Sequence, residues 1–386
     1  MKRQRTRYPY EFDPEKRRLA RHYTRMKLIN KIINSLAVPI VFFAVVLTAG
    51  FSSHLRDFSQ DAGGVFQVQV YIIIFIALLE IVQFPLSFYS GYVYDRKYSL
   101  SRQKLGGWFR DYFKGLGLGY AFMLAAVSFL YYLLAVTPYW WVVASIASLA
   151  VAMFISYISP VVLLPLFYKL APYRDRRQKG RLLDMCSKAG VQNISHVMVL
   201  KESEKSSRPN ALFSGLGSTK RIVLFDTLLS QFTPAEVETV VAHELGHYVH
   251  RDNLKSTIIE AARTFPAFFI INLVLLSSIG LFGIAGIADI AGFPLFMLAF
   301  ALIEIILMPF INAYSRRCEK AADIFALRQA SRPETQVSAE KRLADLHLSD
   351  ESPHPLVEFF LYSHPAPSKR IKYASEWRKY RKLKRV

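Results

Sequence analysis

The chain has 386 residues, of which 52% are hydrophobic and 14% aromatic, with mean hydropathy +0.22, which is too apolar for a typical two-domain soluble protein of this length. Its 49 Lys and Arg against 29 Asp and Glu give a formal net charge of +20, a balance that invites a nucleic-acid reading. Where the charges fall argues against that reading and for a membrane.

Residues 1–31 are charged and mostly basic, and read as a basic tail. Near-uncharged runs then occur at about 32–51, 70–94, 116–136 and 139–168, and again at about 265–287 and 291–313. Each is about 20 residues or more, enough at ~1.5 Å per residue to cross roughly 30 Å of hydrocarbon, so six transmembrane helices are expected. The first run starts too far along the chain and is too long for a cleaved signal peptide, and reads as a retained span. Glu80 and Glu304 fall inside runs, where facing lipid would cost each about 2.5–3.5 kcal/mol, so they are expected to face protein or water. Pro160 and Pro165 either kink the fourth run or mark its exit.

If the six spans hold, Arg56 is the only one of the 49 Lys and Arg residues on one face of the membrane, because the other two loops there, near Thr137 and Asp289, contain none. The positive-inside rule then puts both termini and the block between the fourth and fifth spans in the cytosol. It also makes anionic lipid headgroups, and not nucleic acid, the neighbour of the basic surface.

That block reads as a small α/β unit. A polar helix over 174–189 precedes strand-like segments at His196–Leu200, 210–216 and Arg221–Phe225, with Gly217, Ser218, Thr219 and Lys220 as a hairpin turn. Thr233, Pro234, Ala235 and Glu236 spell a capping box with Pro at the first helical position, and Val237, Val240 and Val241 supply an apolar stripe. The helix so opened carries His243-Glu244-Leu245-Gly246-His247, a complete HExxH. Histidines four apart project from one helical face and can bind one tetrahedral Zn²⁺. Zinc lowers the pKa of a water it binds, and a carboxylate at the position of Glu244 can take the proton and pass it to a leaving amine. His250, one turn on, reads as a solvated helix residue, since catalytic zinc keeps a position open.

A third protein ligand has to come from elsewhere. The stretch from Ser315 to Asp323 is helical in pattern, with Glu319 and Asp323 on one face. Glu319 is the candidate ligand, and Asp323 is then placed to accept a hydrogen bond from a ligating histidine. By spacing alone a surface ladder of ion pairs with the flanking Arg and Lys fits as well. Cys318 is adjacent to Glu319 but points about 100° away on a helix and is discounted. Cys186 and Cys318 have no metal-site or CxxC spacing, and disulfides are rare on the cytosolic side.

Asn210-Ala211, the run from Arg221 to Leu229, the HELGH pentapeptide, Ser315-Arg316-Arg317 with Glu319 and Ala322-Asp323, and Ser363-His364-Pro365 together resemble the type I CAAX prenyl endopeptidases, integral-membrane zinc metalloproteases of the gluzincin kind. The resemblance is clearest over about 85–375. It implies His243, His247 and Glu319 as zinc ligands and Glu244 as catalytic acid/base. It further implies Asn210 and His364 as residues that hold the scissile carbonyl or its oxyanion, and Arg370 as another active-site basic residue. Without it, Asn210 reads as a turn residue and His364 as a loop histidine. It also implies that the strand carrying Asn210 is a sheet edge, able to hold an extended peptide by main-chain hydrogen bonds. A chamber enclosed by the membrane helices, with the zinc site at its cytosolic end, is implied as well.

The expectation is therefore a mainly α polytopic membrane protein with a small cytosolic α/β metalloprotease domain. Its divisions are a basic tail (1–31), four spans (32–168), a catalytic block (169–263), two spans (264–313) and a C-terminal cytosolic segment with the third ligand (314–386). It would hold one Zn²⁺ and cut peptide or protein substrates, CAAX-type C-termini by resemblance, prenylated in eukaryotes. Two alternatives stand beside it: a bacterial quality-control protease of the same fold, and a non-catalytic scaffold or transporter with a vestigial metal site.

Overall fold

The computed structural model describes residues 9–63, 66–192, 194, 196–215, 220–330 and 332–383. Six helices among them are long and apolar enough to span a bilayer. The first four are α1 (Pro14–Thr48), α3 (Phe66–Lys97), α4 (Leu105–Val136) and α5 (Trp140–Phe167), with a short α2 (Phe51–Gln60) joining the first two. The last two are α9 (Asp252–Ser277) and α10 (Phe293–Ala330). The protein is a multi-pass integral membrane protein, and its helices run well past the apolar stretches that announce them. α10 is the extreme case: its 38 residues measure about 57 Å against roughly 30 Å of hydrocarbon, so a long rail stands clear of the membrane at one end.

Two expectations are corrected here and a third is resolved between its alternatives. Residues 1–31 are not simply a tail, because α1 begins at Pro14, capped by Asp13, and continues into the first span. The segment is held in place: the Tyr10 hydroxyl and the Arg17 guanidinium both donate to Asp345, at 2.7 and 2.5 Å. The fifth span ends at Ser277, not near 287, because Gly280 and Gly283 take left-handed backbone angles that stop the helix. Asp289 closes that turn by accepting from the backbone N–H of Ala285 and Ala291 and from Arg56. Arg56 is thereby ion-paired with both Asp289 and Asp57. Pro160 falls in a widened π-type turn at Ser159–Leu163, after which α5 resumes to Phe167, so the proline distorts the helix without ending it.

The intramembrane acids face protein. Glu80 accepts from the Tyr112 hydroxyl at 2.8 Å, and Glu304 pairs with Arg263. Near the end of the bundle holding Arg56, an aromatic core of Phe43, Tyr71, Phe75, Trp140 and Phe293 fills the space between helices.

At the other end lies a four-stranded sheet of β1 (Leu170–Pro172), β2 (His196–Leu200), β3 (Ala211–Ser214) and β4 (Arg221–Phe225), in the order β1-β2-β4-β3. β2 and β4 are parallel and the other pairs antiparallel, which leaves β3 with a free edge. Strand β1 has no sequence signal beyond three residues. The hairpin expected at 217–220 falls, up to Thr219, outside the described residues. Helix α6 (Arg176–Lys188) and, after β4, α7 (Asp226–Gln231) and α8 (Pro234–Val249) pack on the sheet through Leu182, Ile222, Leu224, Val237, Val241 and Leu245, all buried. The capping box at Thr233 and Glu236 forms as its residues predict. Glu236 is also wholly buried against Ser338 and Arg342 of α11 (Pro333–His347), which ties the start of α8 to the C-terminal layer. Two further helices, α12 (Pro355–Leu361) and α13 (Pro367–Leu383), complete that layer.

Gly246 is where α8 meets α10. A Cβ there would lie 3.0 Å from the Cα of Ala322 and 3.2 Å from the Cβ of Phe325, so only glycine lets the two helices approach this closely. Gly246→Ala is expected to push α8 off α10, destabilising the protein by about 1–3 kcal/mol and lowering zinc occupancy with it. A thermal melt paired with metal analysis checks this, and an unchanged melt would show the contact to be slack.

Candidate metal centre

Two helices build the centre from opposite sides. α8 presents His243 and His247 one turn apart, and the projecting rail of α10 brings Glu319 up to them across the Gly246–Ala322 contact. The Nε2 atoms of the two histidines lie 3.2 Å apart. Glu319 sits with Oε2 3.3 Å from the first and Oε1 3.3 Å from the second. Bonds of ~2.0–2.1 Å at tetrahedral angles put donors roughly 3.3–3.4 Å from one another, so the triangle has the size a zinc ion requires. Oε2 of Glu319 is buried and accepts no hydrogen bond among the described residues, an atom left for a cation to satisfy. These three are the one group among the described residues with metal-ligand geometry.

Each histidine is oriented from behind. Nδ1 of His243 lies 2.9 Å from Oδ1 of Asp323, and Nδ1 of His247 lies 2.9 Å from Oδ2 of Asp252. A carboxylate at Nδ1 holds the proton there and leaves the Nε2 lone pair turned to the metal. Asp323 stands where its spacing from Glu319 suggests. Asp252 was not legible in the sequence, because five residues from His247 is not a helical neighbour. Arg251 takes a left-handed conformation between α8 and α9, and that reversal swings Asp252 back under the ring. Asp252→Ala is expected to weaken zinc binding about 10–100-fold, measured by competition with a chelator of known affinity. An unchanged affinity would mean that the His247 ring needs no such support.

Arg370 lines the same cavity, but its guanidinium is spent on Asp323, through Nε at 2.9 Å and Nη2 at 2.6 Å, and on Glu340 at 3.0 Å. It stands behind His243, 3.3 Å from Nδ1, so its contact with the centre runs through Asp323. Glu340 is buried, and burial pushes its carboxyl up to about 7. Pairing with Arg370 is what balances it, a fact only the packing of α11 against α13 reveals.

Glu244 has no hydrogen-bond partner among the described residues and faces the cavity beside the two histidines; burial holds its carboxyl above the ordinary range. His364, in the loop after α12, brings Nε2 to 3.2 Å from Oε1 of Glu319 while Nδ1 meets the Ser363 hydroxyl at 2.9 Å. Arg316 grips the carbonyls of Glu358 and Tyr362 that flank this loop, at 3.0 and 2.6 Å. Asn210 stands exposed at the head of the free-edged strand β3 and lines the cavity, its Oδ1 accepting from the N–H of Ala211 at 2.9 Å. Two neighbouring residues, Cys318 and His250, behave differently. Cys318 lines the cavity without joining the donor set, as its direction predicted. His250 is not a solvated residue, since its ring packs edge-on to Phe325 and its Nδ1 is buried.

The cavity at the centre has a volume of about 1270 Å³. Its walls are β3, α8, the α10 rail, α11 and the near ends of α1 and α3, so a peptide in it would touch both the sheet edge and the membrane helices.

The profile of peptidase family M48 matches residues 172–378, and that of the CAAX prenyl protease N-terminal region, described as five membrane helices, matches residues 2–169. Four helices of spanning length are described in that second stretch here. The "Uncharacterized metalloprotease YhfN" of Bacillus subtilis is 27% identical, over 94% of this chain and 86% of its own length. The CAAX prenyl protease 1 of Saccharomyces cerevisiae is 28% identical over 78% of this chain and 71% of its own. The crystal structure of S. mikatae Ste24p superposes with a TM-score of 0.83 at 24% identity, covering 94% of this chain and 89% of that one, which establishes the shared fold.

Proposed function

The chain belongs to peptidase family M48 as a membrane metalloprotease of the CAAX prenyl protease type, and from that premise we propose that it is a zinc endopeptidase cutting C-terminal CAAX-type peptides at the cytosolic face. The observation that carries the reading is the triangle of His243, His247 and Glu319 donors 3.2–3.3 Å apart, with an unengaged carboxylate, Glu244, beside it. Bound zinc supplies a Lewis acid that polarises the scissile carbonyl and acidifies a water molecule.

The protein does the rest. The free edge of β3 holds the substrate extended by main-chain hydrogen bonds, setting the scissile bond over the centre. Glu244 takes the proton of the attacking water and delivers it to the leaving amine; its raised pKa brings it toward the range where one group performs both transfers. The His364 imidazole and the Asn210 amide donate to the carbonyl oxygen as its negative charge develops. Asp323 and Asp252 keep the histidine protons at Nδ1, and Arg370 is a positioning residue that holds Asp323.

Charge supports the sidedness: Arg56 is the only Lys or Arg in the three loops at the end away from the sheet, and the positive-inside rule puts the Lys- and Arg-rich catalytic end in the cytosol, beside anionic headgroups. Substrate class is tested with purified protein and three substrates: a farnesylated CAAX peptide, the same peptide unmodified, and a misfolded membrane protein. Faster cleavage of the farnesylated peptide supports the proposal. Preference for the membrane protein would reassign the enzyme to quality control on the same fold.

A further inference from the structure

The cavity has a second chemical face that the reaction does not use. Tyr23, Lys27 and Lys31 follow one another at intervals of four along α1, with Asn30 and Asn34 on the same side, and all five line the cavity. Lys27 is engaged: Nζ lies 2.8 Å from Asp95 and donates to the Ser90 carbonyl at 2.9 Å. Lys31 is exposed to the cavity and has no ion-pair partner among the described residues. The metal wall of the same cavity carries the acids Glu244, Asp252, Glu319, Asp323 and Glu340.

A substrate entering this space meets a field with a sign at each end. Every unblocked peptide has one obligatory anion, its terminal α-carboxylate. The acid-rich metal wall repels that group, and Lys31 beside the Asn30 amide offers it charge-assisted hydrogen bonds. Resting on the peptidase reading above, we infer that the α1 face centred on Lys31 is a subsite for the C-terminal carboxylate of peptide substrates, and that it sets the direction in which the chain lies along β3. A free lysine just before the apolar run of α1 can also serve phosphate headgroups of the bilayer, which is the competing source of the same anion chemistry.

Binding separates the subsite from catalysis. Zinc-loaded Glu244→Gln protein in phosphatidylcholine vesicles is titrated with two fluorescent peptides identical except for a C-terminal carboxylate or carboxamide. The acid is expected to bind about 10-fold more tightly. Adding Lys31→Met should bring the ratio near 1, and Lys31→Arg should keep most of it, with unchanged zinc content showing that the fold is intact. Equal binding of the two peptides, or a ratio that survives Lys31→Met, overturns the subsite. So does an effect of Lys31→Met seen only when phosphatidylglycerol is added and for both peptides alike, which would assign Lys31 to headgroups. Cleavage of neither peptide by the zinc-loaded wild-type protein would instead defeat the peptidase reading, while the binding ratio would still judge the carboxylate subsite.

Discussion

Glu244→Gln is expected to lower kcat for peptide cleavage by about 10³-fold, equivalent to ~4 kcal/mol of barrier, with zinc content and KM little changed. The amide keeps the volume and planarity of the carboxyl, so α8 and its packing on the sheet remain. It cannot take a proton, and no other unengaged carboxylate is described beside the two imidazoles: Glu319 faces the donor triangle, while Asp323 and Asp252 are bound to the Nδ1 sides of the rings. A variant that loses its zinc as well would show a structural defect and not a catalytic one, so metal analysis accompanies the kinetics. Cleavage by this variant at the wild-type rate would remove Glu244 from the mechanism.

Glu319→Ala should act through the metal. It deletes the one donor supplied from outside α8 and leaves two imidazoles, too few for a protein zinc site. Zinc content is expected to fall from about one per chain to near zero after brief dialysis, activity to fall to the level of chelator-treated wild type, and excess zinc not to restore it. Stability should fall too. A ligand at 100 times its Kd stabilises the folded state by ~2.7 kcal/mol, and that increment vanishes with the site. Chelation of the wild type should lower its melting temperature and leave that of Glu319→Ala unmoved. Full zinc retention by the variant would mean that another group completes the coordination.

The two halves of the site were legible to different degrees. HExxH announces itself because its ligands share one helix, and a fixed spacing on a helix is a fixed geometry. The capping box and valine stripe that place the motif on α8 are local as well. Glu319 had no such signal of its own: flanked by Arg317 and Lys320, it reads equally as part of a surface ion ladder, and the resemblance of several motifs in order was needed to single it out. Asp252 and Glu340 were missed because a backbone reversal at Arg251 and the burial of α11 against α13 decide their roles. Arg370, read by resemblance as a further active-site basic residue, lies one layer back, bound to Asp323.

For this protein, the residue order alone determined the membrane, the number of spans, the one-sided charge and the presence of a paired-histidine helix. Each depends on runs or spacings within a few turns of chain, where hydrophobic length and helical period act directly. Tertiary structure decided which carboxylate meets the histidines, which acids hold their rings, where the sheet leaves an edge free and how far the cavity reaches along α1. Those depend on contacts between segments tens to hundreds of residues apart, such as the glycine-thin crossing of α8 on α10, and close packing between distant segments leaves no local pattern to read.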